Sequence, residues 1–129
     1  MKTLFIIIFS LASTFVSFSQ TRDCKSLRTG SFKIFTKEAG TSYIQRTKDE
    51  QIEKSDDQGY EIIFDITWIN DCTYELRPKK LIKGDPSIMG NGKNVLTTKI
   101  KEISGNSYLA ESSSNFFEGA FVFTVEIIK

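Results

Sequence analysis

Residues 60–69 read Tyr60-Glu61-Ile62-Ile63-Phe64-Asp65-Ile66-Thr67-Trp68-Ile69. Tyr60, Ile62, Phe64, Ile66 and Trp68 fall at alternate positions, with Glu61, Asp65 and Thr67 between them and Ile63 and Ile69 as exceptions. Alternation at period two marks a β-strand with one face buried. The stretch that follows, 73–78, sets Tyr74 and Leu76 against Glu75 and Arg77. A slip of one residue in strand pairing turns every apolar side chain to the wrong face, so Trp68 and Tyr74 have to face each other directly. That pairing needs an odd-numbered connection such as Asn70-Asp71-Cys72. The expectation is a bulged hairpin loop with Cys72 in it or beside it.

The same reading extends outward in both directions. Upstream, 30–36 (GSFKIFT) is a strand with Phe32 and Ile34 on one face, and 41–47 with 50–55 form a hairpin across Lys48-Asp49. The polar segment Asp56-Asp57-Gln58-Gly59 is a turn, its glycine suited to positive φ. Downstream, 79–93 holds Gly84, Asp85-Pro86, Gly90 and Gly92 and reads as a surface loop. Residues 94–104 carry Leu96, Ile100 and Ile103 at helical spacing. Their β-branched density and the Ser104-Gly105-Asn106 turn favour a strand. Strands over 107–112 and 119–128 complete the set, the last with Phe121, Phe123, Val125 and Ile127 on one face. The expected fold is all-β: an antiparallel eight-stranded meander. To hide its edges it closes into a small barrel, which either holds one small ligand or fills with side chains.

The first nineteen residues stand apart. Lys2 precedes the apolar run 4–16 (LFIIIFSLASTFV), and Ser17 and Ser19 place small residues before Gln20. This is the order of a secretory signal peptide, 1–19, leaving a single β domain at 20–129. Thr21, Arg22 and Asp23 before Cys24 do not suit a lipidated cysteine. No later apolar stretch approaches the length of a membrane span, so no transmembrane segment is expected after cleavage. An exported location, periplasmic or extracellular, would be oxidising, and there an even number of cysteines reads as a disulfide. Cys24 and Cys72 are the two in question. Closing a loop of that length stabilises a fold by roughly 3–5 kcal/mol in the chain-entropy treatment.

The 129-residue chain has 17 basic and 16 acidic residues and no histidine. Without histidine, every mechanism that uses imidazole as base or metal ligand is excluded. A net charge near zero gives no support to nucleic-acid binding. Gly90-Asn91-Gly92-Lys93 lacks the spacing of a phosphate loop, and Asp56-Asp57 lacks the alternating oxygen ligands of a calcium loop. No metal or cofactor is implied. Arg46, Glu53, Glu61, Asp65, Glu75 and Arg77 lie on neighbouring strands and read as a solvated outer face with cross-strand ion pairs. The basic stretch 77–83 (RPKKLIK) reads as a charged sheet edge that discourages aggregation. Phe32, Phe64, Trp68, Tyr74, Phe121 and Phe123 form the aromatic stripe expected to pack the core or line a ligand cavity.

Four segments together resemble a group of short exported bacterial proteins of uncharacterised function. They are 24–32 (CKSLRTGSF), Ile44-Gln45-Arg46, the pair Gln51 and Glu53, and 68–76 (WINDCTYEL). Some members of that group are labelled DNA topoisomerase IV. A topoisomerase needs an ATPase domain, a metal-binding domain and a cleavage tyrosine, and an exported neutral domain of this size has room for none. Gly30-Ser31-Phe32 is also similar to the Gly-x-Trp of lipocalin-type barrels, which place an Arg on the last strand against that Trp; here the last strand carries Glu126 and Lys129. What this likeness implies is a lipocalin-like architecture.

The expected function is that of a non-enzymatic exported β-barrel, a monomer, binding a small apolar or amphipathic ligand or a partner in the cell envelope. The alternative is an interaction or inhibitor module with a filled core, using the 79–93 loop. A hydrolase is the remote third case, and Asp65 facing Glu75 across a cleft would be its sign. An internal cavity above about 300 Å³ favours the first reading.

Overall fold

The computed structural model describes residues 23–128, and the expected signal peptide at 1–19 lies outside them. A short 3-10 helix, Cys24–Leu27, leads into eight strands. They are β1 (Gly30–Thr36), β2 (Gly40–Arg46), β3 (Glu50–Ser55), β4 (Tyr60–Asn70), β5 (Thr73–Lys83), β6 (Leu96–Ser104), β7 (Ser107–Ser114) and β8 (Ala120–Ile128). Each pairs antiparallel with its sequence neighbour, and β1 pairs with β8 from Ser31↔Ile128 to Ile34↔Val125, so the meander closes into a barrel. Closure leaves no free edge where the ladders are complete, the requirement that led to this fold in the first place. No helix among the described residues is long and apolar enough to cross a membrane.

The pairing that fixes the register is the expected one. Trp68 stands opposite Tyr74, and their rings lie 4.8 Å apart between centroids. The odd residue sits elsewhere than expected. Ile69 is bulged out of β4, Asn70 pairs with Thr73, and Asp71-Cys72 is left as a tight turn. The Asn70 side chain accepts a hydrogen bond from the Cys72 backbone N–H at 3.0 Å, which fixes that turn. A bulge inside the strand and a longer loop solve the same parity problem, because both add one residue to one side of the ladder.

Two strands run further than the sequence suggests. β5 continues to Lys83, so the irregular segment begins at Gly84 rather than Lys79. Lys80, Leu81 and Lys83 pair with β4 through two bulges, whereas the β5–β6 ladder stops at Leu76↔Leu96. Beyond Leu76, then, β5 has one unpaired side, and Pro78, with no N–H to donate, is tolerated there. The expectation of a charged edge at 77–83 holds for this half-strand. β7 likewise reaches Ser114, two residues past its expected end.

The barrel has two different ends. At one end the 3-10 helix Cys24–Leu27 lies across the opening, and Leu27 is fully buried. Cys24 is disulfide-bonded to Cys72, which ties that helix to the β4–β5 turn. At the other end lie the β1–β2, β3–β4 and β7–β8 turns, a second 3-10 helix at Pro86–Met89, and the mouth of the interior. Gly40, at φ +76°, belongs to this rim: a Cβ there would collide with the Asp57 carboxylate, which accepts the Thr41 backbone N–H at 2.8 Å. The two mouth turns approach closely because that position has no side chain.

Candidate functional site

The closed end is organised around one buried cation. Arg46, only 1% exposed, projects inward from β2, as do Ile44 and Ser42 before it. Its Nη1 donates to the Leu27 carbonyl at 2.7 Å and its Nε to the Gln51 side chain at 3.0 Å. Its Nη2 donates to the hydroxyls of Tyr74 at 3.2 Å and Tyr108 at 3.4 Å. The guanidinium carbon lies 4.4 Å from the Phe32 ring centroid and 4.9 Å from that of Tyr74. Among the described residues no carboxylate forms an ion pair with it. Neutral oxygens and π-faces carry the charge instead, a solvation shell that a planar five-donor group is suited to fill. Burial and the neighbouring Tyr108 push the Tyr74 hydroxyl's pKa up, against the pull of Arg46, so Tyr74 stays a neutral acceptor.

Above this floor the interior is open. A cavity of about 400 Å³ is lined by Ile34, Ile44, Leu76, Leu96, Val125 and the aromatic rings of Tyr60, Tyr74, Tyr108, Phe121 and Phe123. Polar groups enter from the walls. Thr98 and Ser112 share a hydrogen bond at 2.7 Å, and Gln51 stands above Arg46. Glu53 lines the cavity from β3, where its strand partners are Ile44 and Ile62. The Tyr60 hydroxyl donates to Glu53 Oε1 at 2.7 Å, and Ser42 stands at the same hydroxyl. Burial pushes the Glu53 carboxyl's pKa above its ordinary value, and the Tyr60 hydrogen bond draws it part of the way back. The Tyr60 hydroxyl is pushed up in turn, by burial first and then by the Glu53 charge.

The six residues of the aromatic stripe do not stay together. Tyr74, Phe121 and Phe123 line the cavity, Phe121 at its mouth. Phe32 is buried in the floor, edge-on to Tyr108 at 6.1 Å, and Trp68 lies at the closed end beneath the Arg28 guanidinium at 5.0 Å. Phe64 faces a separate pocket of about 280 Å³, with Pro78, Ile88, Leu96 and Phe116, where β5 and β6 part. Phe64 also packs against the buried core, and the second pocket opens beside it because the β5–β6 ladder stops at Leu76↔Leu96.

Two readings of the charged residues need correction. Arg46 and Glu53 do not belong to a solvated outer face; both point inside. Arg46 pairs with Gln51 and Ile44 with Glu53, so Gln51, Glu53 and Ser55 take the inner face of β3. Asp65, Glu75 and Arg77 do lie where expected. Lys79 bridges Glu50 at 2.9 Å and Asp65 at 3.5 Å, and Arg77 pairs with Glu75 at 3.4 Å. Asp65 and Glu75 do not face each other across a cleft: Asp65 pairs with Arg77 in the ladder and Glu75 with Thr67. Among the described residues no three His, Cys, Asp or Glu side chains gather closely enough to hold a metal ion.

The chain matches no protein-family model, and comparison with the curated proteins and the solved structures gives no significant match.

Proposed function

We propose that this chain is an exported, non-enzymatic β-barrel that binds a small apolar or amphipathic molecule in its interior. The observation that carries this reading is the cavity of about 400 Å³, walled by aliphatic and aromatic side chains with a few polar groups among them. Small-ligand sites are typically concave, mostly apolar and fitted with a few such polar groups. Native cores seldom leave a void of this size unfilled. The Cys24–Cys72 disulfide is compatible with an oxidising location and so supports export. The interior cavity weighs against a module with a filled core. The exposed Ile82, Ile88 and Phe116 around the β5–β6 opening are what favours docking on an envelope partner.

Native mass spectrometry of the mature protein from its own producing cells tests the proposal. The expected spectrum shows an adduct that leaves on denaturation. A bare protein mass, together with no uptake of a polarity-sensitive fluorophore by the purified protein, overturns it.

A further inference from the structure

We infer that the ligand of this cavity carries a protonated amine and that Glu53 receives it. The inference rests on the cavity-binding reading above and names the head group that the site selects.

Every formal charge on the cavity lining is negative: Glu53 on the wall and Glu38 in the turn at the mouth. Among the described residues no Lys or Arg pairs with Glu53. Arg46, the interior cation, is not among the lining residues, and four of its five N–H groups are engaged by Leu27, Gln51, Tyr74 and Tyr108. Tyr60 satisfies Oε1 of Glu53, and Oε2 has no donor from the described residues. A carboxylate in an apolar wall is costly unless a countercharge and donors meet it.

An alkylammonium supplies both, a positive charge and three N–H donors, without displacing the Tyr60 hydroxyl. Its tail then lies along Ile34, Leu96 and Phe123, and the ring of Phe121 at the mouth is attractive to a cation on its way in. An alcohol of the same length brings the tail and one donor but no countercharge. A carboxylate brings a like charge against Glu53. The geometry therefore ranks the three head groups: amine, alcohol, carboxylate.

The test is calorimetric titration of the mature, disulfide-bonded protein at neutral pH with decylamine, decanol and decanoate. The amine is expected to bind about tenfold tighter than the alcohol, as befits one charge-assisted hydrogen bond, with decanoate weakest. In Glu53→Gln, whose side chain still accepts from Tyr60, the amine's advantage over the alcohol falls to within about twofold. Equal binding of amine and alcohol to the wild-type protein, or a preference for decanoate, overturns the head-group assignment and leaves the cavity reading standing. Failure of all three to bind overturns both.

Discussion

The two ends of this barrel are built from the same alternating strands, and they hold their interior charges differently. At the closed end four of the five N–H groups of Arg46 are matched within the protein, while the buried Trp68 Nε1 and Arg28 Nε beside it have no partner among the described residues. The 3-10 helix Cys24–Leu27 is held over Arg46 by the disulfide and by the Leu27 carbonyl. At the open end the Glu53 carboxyl has one donor among the described residues and faces the cavity. A fully satisfied polar network rigidifies a core, whereas an unsatisfied group in a cavity is where a ligand gains specificity. On this contrast, stability should depend on the floor and binding on the walls. Substitutions at the two ends separate these properties.

The largest expected effect is at the floor. Replacing both cysteines, Cys24→Ala with Cys72→Ala, releases a loop with a sequence separation of 48 and should cost about 4 kcal/mol in urea denaturation. A loss below about 1 kcal/mol would show that the helix stays docked without the covalent tie. Next comes Arg46→Met, which fills much of the same space but leaves the Leu27 carbonyl and the Gln51 amide oxygen without their donor. The expected cost is about 3 kcal/mol, because unmade hydrogen bonds in a buried site carry their full desolvation penalty. Unchanged stability would mean that Arg46 contributes nothing net, as replacement of some buried ionic groups by apolar ones has done.

On the wall the sign reverses. The Glu53 carboxyl is raised by burial above its unfolded value, so its contribution to stability is fully present below the ordinary carboxylate range. That contribution is lost as pH rises through the raised folded value, because the native state then holds the proton more tightly than the unfolded chain. Glu53→Gln removes this dependence and keeps an acceptor for Tyr60. The variant should therefore match or fall just below the wild-type protein near pH 4. It should exceed the wild type by on the order of 1 kcal/mol near pH 8. Denaturation midpoints across that range check the crossing, and parallel curves for the two proteins would show that burial imposes no penalty on this carboxylate.

How much of this contrast was legible in the sequence depends on what the strand parity had to work with. The apolar set on β4, opposed by Tyr74 and Leu76, left one acceptable register, and that register brought Cys72 to where Cys24 reaches it. In β2 and β3 there was no such guide. Tyr43 and Ile44 are both large and apolar yet face opposite ways, and the one aliphatic residue of β3, Ile52, points outward while Gln51 and Glu53 point in. Charge alone argued for solvent, and only the closed neighbourhood of eight strands gives Arg46 enough oxygens to be buried. The lysines of 79–83 hid the second half of β5 for a related reason: an edge tolerates the residues that a central strand rejects.

The smallest effect on stability, and the sharpest separation of the two ends, belongs to Phe121. It is 48% exposed at the mouth, 5.6 Å from Phe117 and 5.5 Å from Phe123 between ring centroids, and it lines the cavity from the start of β8. Half of its surface already meets water, so Phe121→Ala should change folding stability by no more than about 0.5 kcal/mol. The same truncation removes an aromatic wall from the entrance and should weaken decylamine or decanol binding about fivefold. If stability fell as far as it does for Arg46→Met, the mouth would be part of the structural core and the division between a stabilising floor and a binding wall would fail. If affinity did not change, the ligand would sit deeper, against Tyr74 and Tyr108, and the aromatic mouth would be a surface for something else.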